Sequence, residues 1–217
     1  MSDAAISSWG KGTLLSVEAL ESLHDLNYRF LNWAAERAGS YSLDWIGADL
    51  NGLPARLASL LAPLSRGARE SAAQCPYALF DLRFHDQSYW HQRLRNFTLW
   101  RVSECSVDSD TEDFVRLALF FSWHVACQAQ FAAQLLLGMS ETTVNDFRRL
   151  RVNEVTALVA TESMHLTAKW SQSGAYWNAL VGAAARRDAS GLRRAQLSGL
   201  QLAAFVKLDE LQMPLRA

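Results

Sequence analysis

Apolar residues recur every three or four positions over most of the 217-residue chain. This spacing is typical of α-helices that bury one face. The first such run extends from Leu14 to Ala38, with Gly39 in the position of a C-terminal cap, and a second follows Pro54 to about Leu64. Further helices are predicted from Asp86 to Trp100, Phe114 to Leu137, Ser140 to Leu150, Asn153 past Val159, Ala175 to Arg186 and Ser190 to Leu211. Asp86 and Asn153 are the predicted N-caps of two of these helices.

Two short stretches break the helical spacing. Phe80, Leu82 and Phe84 alternate with polar residues, which predicts a half-buried strand, and residues 166–170 repeat that strand more weakly. The sequence therefore predicts a mostly α-helical protein with at most two short strands.

Similar patterns occur twice, about ninety residues apart. Gly47 and Gly138 each follow a helical run and precede a polar turn and a further apolar segment, and they lie 91 positions apart. The Tyr-Trp pairs that begin at Tyr89 and Tyr176 lie 87 positions apart. Because an internal repeat changes the whole fold prediction, we expect two similar helical halves, residues 14–103 and 109–212. The acidic stretch 104–113 is the predicted linker, and Ser109 is its predicted helix cap.

Composition and charge narrow the class of protein. Half of the residues are apolar and a fifth are charged, as in ordinary globular domains. The net charge of −1 gives no general attraction to nucleic acid or anionic lipid. The apolar run from Phe114 to Leu137 contains Arg116 and His124, which favours a core helix over a membrane span. With no signal-like N-terminus, we expect a cytoplasmic protein without membrane insertion.

No pattern of catalytic or metal-binding residues stands out. The five histidines form no metal-ligand spacing, and Cys75, Cys105 and Cys127 show no CxxC pair, so we expect reduced core thiols. Nucleophile-elbow, P-loop and dinucleotide motifs are missing from the sequence. We therefore predict no enzymatic activity, no cofactor and no metal. The alternative is an enzyme whose active site is assembled from residues scattered along the chain, around His85 or His124.

The sharpest local pattern is a helix-turn-helix-like segment over residues 131–151. Gly138 fits the turn, Ser140 can cap the second helix, and Val144 with Phe147 would face inward. The candidate DNA contacts, chosen because they suit phosphates and base edges, are Ser140, Thr142, Thr143, Asn145, Arg148, Arg149 and Arg151. Against this interpretation stand the acidic Asp146 and the bulky Gln134. The alternative is two core helices joined by a Gly-Ser turn, with solvated arginines.

Most of the eight tryptophans lie at helical spacing, which favours the core. Trp9, Trp90 and Trp177 fit the apolar faces least well. We therefore predict that these three contact a protein partner.

Several short motifs resemble the FlhD family of flagellar transcriptional activator subunits, which act together with FlhC. Residues 25–31 (DLNYRFL) resemble the start of a helix in that family, and residues 137–141 (LGMSE) resemble its Leu-Gly-Ile-Asn-Glu segment. A fainter copy of the latter surrounds Gly47. Residues 82–84 (LRF) stand where the family has an aromatic-Arg-Phe run. The cysteine that precedes this run in the family is replaced by Phe80, so its inter-subunit disulfide does not carry over.

The resemblance implies a mainly helical, bacterial-type transcription regulator that works through protein partners and contacts DNA within a complex. A tandem copy would place in one chain what resembles a family dimer, or the chain would itself form a homodimer. The alternative that the residues leave open is a cytosolic adaptor or structural component of a secretion or motility machine, without DNA binding.

Overall fold

A computed structural model of the chain describes residues 16–40, 53–95 and 108–212. These residues form ten α-helices and one two-stranded sheet, which confirms the mostly helical prediction. The elements of the first part are α1 (Val17–Ser40), α2 (Ala55–Leu61), α3 (Arg66–Ala73), β1 (Phe80–Asp81) and α4 (Gln87–Arg95). Those of the second part are α5 (Ser109–Gln128), α6 (Gln130–Ala132), α7 (Glu141–Phe147), α8 (Val152–Glu162), β2 (Thr167–Ala168), α9 (Gly174–Ala185) and α10 (Ala189–Gln212).

Helices α1 and α5 meet at the centre of the core. Phe30 of α1 and Phe114 of α5 lie with ring centroids 5.9 Å apart, and Phe80 of β1 meets Phe114 edge-on at 5.2 Å. All three side chains are buried. Edge-to-face aromatic contacts of this kind add to the free energy gained from burying their large apolar surface.

The N-cap residues agree with the sequence-based prediction at some helices and differ from it at others. Asp86 accepts a hydrogen bond from Tyr89 N at 3.0 Å, as a cap predicted for α4 should. The predicted cap of α5 is wrong by one residue, because Asp108 accepts from Thr111 N at 3.1 Å while Ser109 lies inside the helix. Asp108 also forms an ion pair with Arg37 of α1, so the carboxylate is held both by the helix that it caps and by α1.

The start of α8 also differs from the prediction. Asn153 lies inside the helix, which begins after Arg151. The carboxylate of Glu154 accepts a hydrogen bond from Arg151 N at 2.7 Å. The Glu154 side chain in the first turn therefore satisfies the backbone donor of Arg151, the residue that precedes the helix.

The predicted long helix from Phe114 to Leu137 is interrupted. Ala129 has φ −145°, which ends α5, and the chain resumes as α6 and then a π-helical turn from Ala133 to Leu137. Gly138 closes that turn with φ 75°. This left-handed conformation is strained for residues with a Cβ, which is why a glycine suits the position.

The sheet joins the two parts of the chain. β1 and β2 are antiparallel, with Phe80 opposite Ala168 and Asp81 opposite Thr167. Both strands are shorter than the sequence predicts. Shortly after each strand a residue adopts positive φ, 58° at Arg83 and 50° at Trp170, and the chain turns into the following helix.

The helices that follow the strands begin in a similar way and cross to the other part of the chain. The indole N–H of Trp90 in α4 donates to Arg83 O at 3.1 Å, and that of Trp177 in α9 donates to Lys169 O at 3.0 Å. α4 packs on α7, whereas α9 packs on α2 and α3. Each part thus supplies a helix that covers the other.

A buried amide connects α1 to the loop before β1. Asn27 is fully buried, and its Nδ2 lies 3.2 Å from Ala73 O, 3.3 Å from Cys75 O and 2.9 Å from Tyr77 O. Its Oδ1 accepts from Leu79 N at 2.8 Å. One side chain therefore satisfies several backbone groups of a buried loop that has no regular structure of its own.

A buried ion pair connects α4 to α8. Arg93 Nε donates to Glu162 Oε1 at 2.9 Å, and both side chains are almost completely buried. Tyr89 Oη donates to the other oxygen, Glu162 Oε2, at 2.7 Å. Burial raises the pKa of the Tyr89 hydroxyl, and the Glu162 charge raises it further, so Tyr89 remains a donor.

Gly199 allows α10 to approach a buried tyrosine closely. A Cβ at this position would overlap the phenol ring of Tyr77, which is itself buried. We expect Gly199→Ala to lower the free energy of unfolding by about 1–3 kcal/mol, although alanine is the better helix former. Urea denaturation measures the change. The control is Gly67→Ala in α3, where an added Cβ meets nothing within 4 Å and should stabilise by about 0.5–1 kcal/mol.

Candidate functional site

The helix-turn-helix-like segment has the predicted turn but a short second helix. Ser140 Oγ accepts from Thr143 N at 3.0 Å, and α7 spans only seven residues, ending at Phe147 instead of Leu150. Val144 and Phe147 are buried, as the spacing predicts. Two turns of helix leave little length to enter a DNA groove, so any DNA contact would depend on the residues that follow α7.

The candidate DNA-contacting residues divide by exposure. Arg148, Arg149 and Arg151 are exposed, and Thr142 and Asn145 are half-buried. The prediction that Thr143 is exposed is wrong: its side chain is fully buried, and its hydroxyl lies 2.9 Å from Ser140 Oγ. Ser140 is the cap of α7 and Thr143 is the third residue of that helix, so the two side chains contact each other. Both are buried as a result and cannot contact DNA.

The three exposed arginines lie together where α7 ends and α8 begins, and we call them the α7–α8 arginines. Within the described part of the chain, none of them forms an ion pair with a carboxylate. The nearby acidic Asp146 is instead 3.3 Å from His91 Nδ1 of α4. The guanidinium groups are therefore free of described ion-pair partners and accessible to an anionic surface.

The predicted partner contacts at two tryptophans are contradicted by their burial. Trp90 and Trp177 are buried to within 1% of complete, and Trp90 lies edge-on against Phe147 of α7 with centroids 4.8 Å apart. Both belong to the helices that cross between the two parts of the chain, so part of the apolar surface that covers them is distant in sequence. Trp9 lies outside the described residues.

A second group of exposed arginines, not predicted from the sequence, surrounds the turn between α9 and α10: Arg186, Arg187, Arg193 and Arg194. Asp188 lies among them, where its Oδ1 accepts from Gly191 N at 2.9 Å. That backbone bond and a bond from Ser190 lower the pKa of the Asp188 carboxyl. The signal available in the sequence was the pair of motifs RRD at 186–188 and RR at 193–194, which begin seven positions apart.

A pocket opens beside the sheet, with a cavity of about 380 Å³. It lies between the strands, the turn at Gly138 and α10. Its apolar wall includes Leu137, Met139, Ala168, Trp170 and Ala203. Its ionisable residues are Asp81, Arg83, His85 and Lys169.

Lys169 is the unusual member of this group. Its side chain is buried, and its ammonium donates one long hydrogen bond, 3.4 Å to Leu136 O. Burial lowers the pKa of the Lys169 ammonium to about 8. The negative charge of Asp81 raises this pKa, but it offsets only part of the effect of burial. This burial could not be predicted from the sequence, because lysines are usually solvated.

The remaining polar groups do not form a metal site within the described ranges, where no cluster of three or more His, Cys, Asp or Glu residues occurs. Cys75 is buried as expected, and burial raises the pKa of its thiol to about 12. The expectation of a core thiol is wrong for Cys127, which is exposed at the end of α5. Cys105 lies outside the described residues.

Within residues 16–40, 53–95 and 108–212, every helix is too short or too polar to span a lipid bilayer. Comparison with known proteins found no matching family model, no similar curated protein and no similar solved structure.

Proposed function

We propose that the protein is a subunit of a transcription regulator, similar to FlhD, that acts in the cytoplasm through protein partners and contacts DNA through the α7–α8 arginines. The observation that carries this proposal is the grouping of Arg148, Arg149 and Arg151, exposed and without ion-pair partners among the described residues. Three arginines at one helix junction suit phosphate contacts, which position a protein on DNA.

The charge of the whole chain requires help from a partner. The net charge is −1, and acidic Glu141 and Glu154 lie near the arginines in sequence. Three phosphate contacts provide only a small part of the counterion release that drives DNA binding. A regulator with this charge would therefore bind DNA mainly within a complex.

We further propose that the chain is a tandem pair of FlhD-like halves, residues 14–103 and 109–212, that form a dimer-like body. The sheet register supports this. At an offset of 87 positions, Phe80 corresponds to Thr167 and Asp81 corresponds to Ala168. Each residue pairs with the equivalent of its neighbour, since Phe80 faces Ala168 and Asp81 faces Thr167, as expected for a two-fold relation between the halves. The matched positive φ values at Arg83 and Trp170 and the crossing of α4 and α9 support it as well. Because the two halves of one chain would already form the dimer-like unit, the protein would not need to form a homodimer.

Charge reversal tests the DNA contact. We expect the triple variant Arg148→Glu, Arg149→Glu, Arg151→Glu to weaken binding of duplex DNA about 10-fold or more at 100 mM salt and to lower the salt dependence by roughly three phosphate contacts. The measurement is a fluorescence-anisotropy titration at several salt concentrations, with and without an FlhC-type partner.

The matched control is the triple variant Arg29→Glu, Arg66→Glu, Arg116→Glu. It produces the same change in net charge at exposed arginines that already pair with Asp25, Glu70 and Asp113. We expect it to weaken DNA binding by less than about threefold. Equal losses in both variants would show that only net charge matters and would remove the proposed contact.

The second candidate function is that of an adaptor without DNA binding. It is favoured by exposed apolar side chains on α5 and the helical segment after it, where Leu117 is 45%, Phe131 70% and Leu135 40% exposed. Exposed apolar surface is a feature of protein-binding sites. If Phe131→Ser disrupts partner binding while the arginine triple variant leaves promoter activity unchanged, the adaptor function is the correct one.

A further inference from the structure

We propose that the pocket beside the sheet binds a small carboxylate with an apolar body, and that the Lys169 ammonium is the group that holds the carboxylate. This inference is independent of the proposed regulatory function. It rests on the cavity, on its apolar wall and on an ammonium with unused hydrogen-bonding capacity.

The ammonium of Lys169 has more donors than the described structure uses. A lysine ammonium carries three N–H donors, and this one makes a single hydrogen bond, to Leu136 O at 3.4 Å, and a cation–π contact with the Trp170 ring at 5.4 Å. No described carboxylate lies within 4.0 Å of it. A buried cation with so few partners is costly, and a bound anion would supply what is missing.

The negative charge of Asp81 acts on Lys169, but this carboxylate is occupied elsewhere. Its Oδ1 accepts from Phe84 N at 3.1 Å, and its Oδ2 lies 3.4 Å from His85 Nδ1. The Lys169 side chain instead lies against Gly138, so close that a Cβ there would be 3.0 Å from Nζ. The left-handed glycine thus makes room for the ammonium at the pocket wall.

The other cation in the pocket is already paired. Arg83 lies 2.6 Å from Asp86 Oδ2, and its guanidinium stacks over the Tyr89 ring at 4.2 Å. A ligand anion would therefore gain more from Lys169 than from Arg83. This difference supplies a control within the same pocket.

Size and lining define the rest of the ligand. A cavity of about 380 Å³ is at the small end of small-molecule sites, which are lined mainly by apolar groups with a few polar ones. Leu137, Met139 and Trp170 form such a lining. Aromatic or short-chain aliphatic carboxylates match both the volume and the single cation.

Calorimetric titration tests the proposal, using benzoate, phenylacetate and hexanoate as probes and benzyl alcohol and benzamide as their neutral counterparts. We expect saturable 1:1 binding of at least one carboxylate. The neutral molecules should bind at least about 10-fold more weakly than that carboxylate. Lys169→Met should reduce carboxylate binding about 10-fold or more. Arg83→Met, which removes the same charge from the same pocket, should change it less than about threefold.

Two further measurements keep these results interpretable. Lys169→Met should raise the melting temperature by roughly 3–6 °C, since it removes a buried charge, which would exclude misfolding as the cause of lost binding. Reductive methylation of Lys169, followed by peptide mass spectrometry, should slow when the bound carboxylate is present. The proposal is overturned if no carboxylate binds saturably, if the neutral molecules bind equally well, or if Lys169→Met binds as tightly as the unmodified protein.

Discussion

Replacing Arg93 by methionine is expected to lower the free energy of unfolding by roughly 3–5 kcal/mol. The substitution leaves the fully buried Glu162 without the cation that lies 2.9 Å from it. Tyr89 and Thr161 would still donate to this carboxylate, but two neutral donors compensate a buried charge poorly. Urea denaturation followed by circular dichroism measures the loss.

The double variant Arg93→Met, Glu162→Leu separates the cost of an orphaned charge from the value of the ion pair. Replacing both members removes the uncompensated charge, so we expect most of the lost stability to return. Removing an exposed pair, by Arg66→Met in α3 beside Glu70, should cost less than about 1 kcal/mol. A double variant as unstable as the single one would show that packing, and not charge, accounts for the loss.

Replacing Asn27 by leucine is expected to lower the free energy of unfolding by roughly 3–5 kcal/mol. Leucine has a similar size but leaves the N–H of Leu79 and the carbonyls of the preceding loop without their partner. Asn27→Asp should be comparably harmful, because a carboxylate cannot donate to these carbonyls. Thermal and urea denaturation of both variants give the comparison.

The matched control is Asn178→Leu, at an exposed position of α9. It makes the same chemical change without burying an unsatisfied group, and we expect a change below about 0.5 kcal/mol. Similar stability of the Asn27→Leu protein and this control would contradict the role assigned to the buried amide.

Elements governed by local chemistry could be predicted from the sequence. Ser140 and Asp86 cap their helices as predicted, because a cap depends on residues within one turn. Helix α3 was missed, since its buried residues are only Ala68, Ala72 and Ala73. Small side chains give a weak periodic pattern, and the tertiary contact with α1 stabilises this helix.

Features that depend on distant contacts could not be predicted. Trp90 and Trp177 seemed unsuited to their helix faces because part of the apolar surface that covers them belongs to the opposite part of the chain. The exposure of Arg148 and Arg149 was predicted, although from a helix that in fact ends before them at Phe147. The burial of Lys169 was not, because it results from the meeting of the sheet, the Gly138 turn and α10. The pocket is thus the part of the molecule about which the sequence said least.

The exchange of α4 and α9 has a consequence for how the protein denatures. Opening either part would strip a covering helix from the other and expose Trp90 or Trp177 to water. Melting should therefore be a single cooperative event, without a long-lived species in which one part is native and the other is not. Such species are a common source of aggregation in larger chains, so the interlocked helices should suppress aggregation when the folded protein is heated.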